Sequence, residues 1–535
     1  MTHTHPSRGL VRLRLAFCGA LAALACAWTP GAQAQLNDLT QTPNSENEGI
    51  RKSLTDQSGA GRGDILTPGS SAFIIKRDPF RSIRRGRQLF QRKFTLAQGL
   101  GPRTNDGVGD IESDVSHGAG LADSCAACHG RPRGSAGAGG DVFTRPDSRD
   151  APHLFGLGLV EMLADEMTSE LRATRAAAIA AAQNSGFPVV KPLKAKGVGF
   201  GMLKAFPDGT VNTSAVRGVN ADLRVRPFFH DGREFSIRAF AAGAFKDEMG
   251  LQAFDADLAT AHAGGAVTTP SGLVLDGSKD VIPGPAAAEN QDPDADGVVN
   301  EMTPALLDHM EFYLLNYFKA GLSPASSNME TGFALMHTIG CTSCHVRSLT
   351  IDHDRRVADV ETVHDPVKGI FNRLFSTATA LLTVVPDGSG HPPQKLPAGG
   401  SFVVRNFFSD LKRHDLGPNF WERNFNGTIT KEFVTEPLWG AGTTAPYGHD
   451  GRSINLNEVI LRHGGEAQLS RNLYAALPAN SRRLITDAIS SLVLFPPDDT
   501  ASNLNPGDRT HPLFPQKGHG SIALTVLFND PTDVE

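Results

Sequence analysis

Apolar positions along the chain fall into blocks of different kinds, and the first is the most concentrated. A continuous run from Leu15 to Trp28 follows Arg8, Arg12 and Arg14 and precedes Ala32-Gln33-Ala34. It is shorter than the stretch of about 20 residues that spans a bilayer. Basic residues, a short apolar run and a small-residue cleavage site read as an export leader over residues 1–34. From Leu36 to Asp78 the sequence turns polar and loses apolar period, so residues 35–80 are expected to form an N-terminal extension, a wrapping arm or a partly ordered segment. Helical spacing begins at Ser82–Phe90 and has a counterpart at Gly332–Met336. It recurs at Val160–Gln183, through Leu163, Met167 and Leu171, and at Pro304–Phe318, through Leu307, Met310, Leu314 and Tyr317. Ser236 and Asn455 are good helix caps, each followed by one apolar face: Ile237 and Phe240 in one case, Leu456 and Val459 in the other. The tail after Pro496 is rich in Pro, Asp and Asn and reads as surface. The pattern predicts a mainly α chain with long loops and few short strands.

The 535 residues suffice for about three domains of ordinary size. A formal charge of -6, without clustered Lys and Arg, argues against a nucleic-acid partner or an anionic membrane surface. Fifty-six glycines and thirty-four prolines demand many turns. Of six cysteines, Cys18 and Cys26 lie in the leader, and the other four sit in two copies of one motif.

That motif carries the chemistry. Cys125-Ala126-Ala127-Cys128-His129 and Cys341-Thr342-Ser343-Cys344-His345 both have the Cys-x-x-Cys-His spacing. Two thiols three residues apart can each form a thioether to one haem, leaving the adjacent imidazole as the iron's proximal ligand. Zinc is the competing reading of paired cysteines. The immediate histidine and the absence of a second pair nearby favour two covalently bound c-type haems, with His129 and His345 on the irons. No cysteine is then left for a disulfide.

A second repetition accompanies the first. Arg226-Pro227-Phe228-Phe229-His230-Asp231-Gly232-Arg233 matches Ala445-Pro446-Tyr447-Gly448-His449-Asp450-Gly451-Arg452, and 101 residues separate His129 from His230 where 104 separate His345 from His449. A turn alone explains His-Asp-Gly-Arg, but not its return at one offset from a haem motif. Two haem domains are read, residues 81–325 and 326–535. Extending the alignment sets His463 against Ala244. His463 shares a face with Leu456 and Val459 and is the candidate sixth ligand of the second iron, with His449 and Tyr447 as competitors; a hydrogen-bonded core histidine is the bland alternative. The first iron would keep an open face, suited to peroxide or dioxygen. Arg149-Asp150-Ala151-Pro152-His153 qualifies this, since His153 could close that face in the resting oxidised state. Arg233 and Arg452 suit haem propionates, or are exposed turn arginines.

Between the domains, Gly264–Asn290 is a Gly/Ala/Pro/Thr-rich connection. Asp292, Asp294 and Asp296, then Val298, Asn300 and Glu301, can offer oxygens to a calcium ion. A solvated acidic turn is the other reading.

With these residues in place, the chain resembles the di-haem oxidoreductases related to bacterial cytochrome c peroxidase and to MauG, from about Gly86 to Phe495. The more specific pieces are the two haem motifs, Thr435-Glu436-Pro437-Leu438-Trp439-Gly440, Ala445–Arg452 and Glu458–Glu466. The resemblance implies two tandem cytochrome c-like haem domains, a reactive first haem and an electron-transferring second haem. His463 stands near the place of that second haem's methionine ligand, which implies a bis-histidine centre. A tryptophan lies between the haems of such peroxidases where His230 stands here. Their distal glutamate resembles Glu248, followed by Met249 and Gly250, although Phe240 stands where a catalytic glutamine is expected. Glu248 is the expected proton carrier. Phe240 and Phe245 make the first pocket apolar, a point of similarity to haem-containing rubber oxygenases. The expectation is an exported, periplasmic or secreted, peroxidase-like oxidoreductase. It would use hydrogen peroxide or dioxygen and a periplasmic donor such as a small cytochrome or cupredoxin. The alternatives are a plain electron carrier and an oxygenase of an apolar substrate.

Overall fold

The structure is a computed structural model that describes residues 53–100, 124–129, 151–285, 287–292, 297–317, 319–322, 327–364, 374–424 and 427–494. Eight helices position the site: α1 (Pro79–Gln91), α2 (Cys125–His129), α3 (Leu157–Ser185), α4 (Ile237–Met249), α5 (Pro304–Leu315), α6 (Ser327–Thr338), α7 (Leu456–Arg462) and α8 (Ala479–Ser490). Local chemistry sets their ends. Proline opens α1 and α5, where a missing N–H costs nothing. Ser236 accepts from the Ala239 N–H at 3.0 Å, and Asn455 from the Glu458 N–H at 2.9 Å, so both capping residues act as the sequence suggests.

The expectation of a mainly α chain is overturned. Seventeen strands lie among the described residues, and apart from one three-stranded sheet they form two-stranded ribbons. β1 (Val189–Ala195) and β2 (Val198–Ala205) are joined by Lys196 and Gly197, at φ 48° and 82°. Both central residues have the positive φ that a type I′ hairpin turn needs. Along β2, Val198 and Phe200 are buried and then Leu203 and Ala205, the alternation slipping by one residue at Gly201–Met202. Another ribbon pairs Ala358–His364 with Leu374–Ala380 over seven residue pairs.

Two helix pairs close over a glycine. A Cβ on Gly86 of α1 would stand 2.2 Å from the His309 carbonyl oxygen of α5, and one on Gly332 of α6 would stand 2.1 Å from the Leu484 carbonyl oxygen of α8. These are the two segments that resemble each other before the haem motifs. Gly86→Ala is expected to lower the urea midpoint, costing about 1–3 kcal/mol of stability. The helix propensity recovered, at most about 1 kcal/mol, is too small to offset a clash with backbone.

Two hydrophobic cores result. The smaller holds Met329, Phe333, Met336, Tyr474, Ile485 and Ile489. The larger runs from Ile75 through Tyr317, and also takes Leu349, Ile351, Leu382, Val404, Trp439 and Leu494 from the second half.

A buried ionic network anchors α4. Arg238 is fully buried and meets Asp255 through Nε at 3.1 Å, Asp308 through Nη1 at 2.8 Å and Glu311 through Nη1 at 2.7 Å. Arg62 reaches the same group, 2.5 Å from Asp257 and 3.1 Å from Asp308. At the start of α4, the Ile237 N–H donates to Glu161 Oε1 at 2.7 Å.

Candidate functional site

The duplicated His-Asp-Gly-Arg stretch folds the same way twice. Phe228 N–H donates to the Glu234 carbonyl at 3.0 Å; 219 residues on, Tyr447 N–H donates to the Ser453 carbonyl at 2.7 Å. Gly232 and Gly451 close equivalent turns at 3.0 Å and have φ of 66° and 61°. Phe229 and Gly448 are equivalent too, with φ of 58° and 87°, so a bulky side chain holds a backbone state that its counterpart adopts freely. The two copies meet. The His230 and His449 rings stack at 5.0 Å and 3°, with Phe433 continuing the pile at 4.0 Å from His449. Glu422 Oε2 lies 2.6 Å from His230 Nε2 and 3.6 Å from His449 Nε2, and the shorter contact is bent away from hydrogen-bonding geometry.

Each Cys-x-x-Cys-His histidine has its Nδ1 committed to a backbone carbonyl. His129 donates to Pro152 at 2.7 Å and His345 to Phe408 at 2.9 Å. Such a bond fixes ring and tautomer and directs Nε2 toward a metal. Cys125, Cys341 and Cys344 are half-buried, and burial pushes the Cys341 thiol up to about 11. The equal spacing from motif to repeat has unequal contents: α3 and the β1–β2 hairpin follow Pro152 in the first half, whereas ribbons precede Phe408 in the second.

His463 makes the same kind of bond. It follows the last turn of α7, and Nδ1 donates to the Val459 carbonyl at 2.7 Å, with Phe420 edge-on at 5.2 Å. Burial pushes its pKa down to about 4 against that hydrogen bond, and nearby His345 adds to the depression. Burial lowers the His345 pKa as well, and the neutral imidazole is the form that can bind a metal. The competitors are engaged elsewhere: Tyr447 donates its hydroxyl to the Ala441 carbonyl at 2.8 Å, and His449 lies in the stack.

At the equivalent place in the first half, α4 continues through Ala244. Phe240, Ala244 and Glu248 are four residues apart and share one helix face. A Cβ on Gly243, beside Ala244, would meet nothing within 4 Å. Phe240 is half-buried against Phe228 and Phe229, at 5.8 and 5.2 Å. Phe245 turns into the main core, edge-on to Phe94 at 6.2 Å. Lys246 pairs with Asp247 at 3.1 Å, and Glu248 is half-buried. His153 is engaged by Nε2 donating to the Trp439 carbonyl at 2.9 Å and Nδ1 accepting the Phe155 N–H at 3.1 Å.

Arg233 pairs with Asp231 of its own turn at 2.8 Å, and Arg452 lies 3.7 Å from Asp450 and is largely exposed. In the acidic loop, Asp292 accepts the Gly297 N–H at 2.9 Å, Asn300 accepts the Asn290 N–H at 2.8 Å, and buried Glu301 accepts the Gln252 N–H. Val298 lies in the same loop. Asp294 and Asp296 fall outside the described residues, as does the Cys128 side chain. Among the described residues, Cys344, Asp410 and His414 bring three donor atoms within 4.8 Å. Burial opposes a charge on His414, yet bonds from Asp410 and Cys344 raise its pKa to about 11, and Glu466 accepts from Nδ1 at 2.8 Å. An imidazolium held between carboxylates is a poor zinc ligand.

Sequence reasoning missed two carboxyls. Burial raises Glu436 to about 7, and it raises Glu234 to about 7 against Arg226 and Arg233. Glu436 lies in Thr435–Gly440 and Glu234 two residues before the Ser236 cap, so their positions were visible and their desolvation was not.

Residues 369–492 match the model of a family described as "Di-haem oxidoreductase, putative peroxidase". The matched segment contains Thr435–Gly440, the second His-Asp-Gly-Arg and His463. No curated protein matches the chain. Among solved structures, hydrazine synthase of Kuenenia stuttgartiensis is similar at 16% identity and a TM-score of 0.22, over 36% of this chain and 56% of that one. The chain thus spans just over half the length of that neighbour, and the likeness carries no argument about fold.

Proposed function

We propose that this chain is an exported di-haem c-type oxidoreductase of peroxidase type, with two haem sites of unequal ligation. The match over residues 369–492 supports di-haem oxidoreductase chemistry at the coarse level. One observation carries the finer reading: His129, His345 and His463 each commit Nδ1 to a backbone carbonyl, whereas Ala244 stands where His463 stands in the other half. The donor set fits haem, with thiols for thioethers and imidazoles for iron. Cys125, Cys128 and His129 would hold the first group, and Cys341, Cys344, His345 and His463 the second.

Bound haem supplies redox-active iron at an open or a closed coordination position. The residues do the rest. His345 and His463 would both serve as ligands of the second haem, which would then supply electron storage and transfer. Phe240, with Phe228 and Phe229 behind it, excludes water from the first distal face while Ala244 leaves it open. Glu248, on the face of Phe240 and Ala244, would hold and release the proton that peroxide chemistry at that face requires. Electrons come from a small periplasmic donor. The apolar first face, with open space at Gly243, favours one second reading, dioxygen chemistry on an apolar substrate.

Spectroscopy of the ferric protein tests this. Two haems per chain by pyridine haemochromogen are expected, one low-spin by EPR and one high-spin component that responds to cyanide and peroxide. Two low-spin centres inert to both leave only an electron carrier. Oxygen uptake with an unsaturated hydrocarbon and no peroxide moves the assignment to an oxygenase.

A further inference from the structure

The segment Thr435–Gly440 has no part in the ligation described above, yet it touches both haem loops. We infer that it is a strap tying the two proximal histidines into one hydrogen-bonded unit, with His153 and Trp439 as positioning residues; this rests on the haem reading of His129 and His345.

The connection can be followed atom by atom. His129 donates Nδ1–H to the Pro152 carbonyl at 2.7 Å. The next residue, His153, donates Nε2–H to the Trp439 carbonyl at 2.9 Å. The preceding residue, Leu438, donates its N–H to the Phe407 carbonyl at 3.1 Å. The residue after Phe407, Phe408, offers the carbonyl that accepts Nδ1–H of His345 at 2.9 Å. Each link between residues is a hydrogen bond, and the residues within each loop are adjacent in sequence.

Packing makes the strap stiff. Trp439 is 5% exposed, and its ring meets Phe407 edge-on at 5.0 Å. On the other side the indole lies so close to Gly156 that a Cβ there would stand 2.5 Å from it. Ser409 donates its hydroxyl to the Thr435 carbonyl at 2.5 Å, and Thr435 N–H donates to the Lys412 carbonyl at 2.9 Å. One indole thus wedges against the loop that orients His129 and the loop that orients His345.

The consequence concerns the ligands' basicity. A stronger Nδ1–H to carbonyl bond makes an imidazole a better electron donor and lowers the potential of the metal it holds. If both acceptor carbonyls are clamped by one strap, cutting it weakens both bonds together. If each loop is rigid by itself, the effect stays at one haem.

The test is a spectroelectrochemical titration of the holoprotein, which resolves two midpoints, alongside its haem count. His153→Ala is expected to raise both midpoints. His153→Gln, whose amide N–H can donate to the Trp439 carbonyl, is expected to restore both. Trp439→Phe, which keeps the carbonyl and thins the wedge, moves both in the direction of His153→Ala and serves if that variant does not fold. A shift confined to one haem, or no shift, overturns the strap while leaving the ligation intact. Fewer than two haems in the parent protein overturns the proximal assignment, and the strap with it.

Discussion

Arg238→Met is expected to remove a large part of the protein's stability. The side chain is fully buried among Asp255, Asp308 and Glu311, and deleting one partner of such a network leaves charge without compensation. The usual cost is about 3–5 kcal/mol, against a total of roughly 5–15 kcal/mol for a folded protein. Methionine fills part of the volume, so the loss comes from electrostatics rather than from a cavity. The variant's pH dependence identifies the cause. Burial already raises the Asp308 pKa while Arg238 opposes it, and without the arginine the rise is larger. The folded state then binds more protons than the unfolded state, so stability falls as pH rises from the unfolded carboxyl range up to the raised folded pKa. Urea unfolding followed by circular dichroism is expected to show partial recovery from pH 7 toward pH 5. A variant within about 1 kcal/mol of the parent at pH 7 would mean that this network does not hold α4.

His463→Ala carries the second large effect, on function rather than folding. Its side chain is bonded only to the Val459 carbonyl of its own helix, so fold and haem count are expected to survive. The low-spin EPR signal of the second haem is expected to give way to a high-spin one, and added imidazole to restore it. Turnover with peroxide is expected to drop on the order of tenfold or more, the scale on which disturbing a metal's surroundings acts. A low-spin signal unchanged by the substitution would assign the sixth ligand elsewhere.

What the sequence revealed and what it concealed divide along physical lines. Ser236 and Asn455 were legible as caps because capping depends on one side chain and the amide three residues on. The paired His-Asp-Gly-Arg turns were legible because Asp and Gly fix local backbone. Their stacking on each other was not, since it joins residues 219 apart. The ribbons were underestimated for a related reason. The β1–β2 hairpin is signalled locally only by Lys196-Gly197, since its strands carry few β-branched residues and two glycines. Nothing local in the sequence marks Arg238, Asp255, Asp308 and Glu311 as buried. Only their convergence from three segments makes them interior, and no periodicity announces that.

The membership of the larger core has a consequence for how the molecule is made. Leu349, Leu382, Trp439 and Leu494 complete a core that begins at Ile75. The amino-terminal half therefore has no finished interior while synthesis is under way. A ribosome that stalls before residue 494 leaves an open half-shell, so degradation of incomplete chains is the expected fate, and excising either half as a free-standing unit exposes apolar surface.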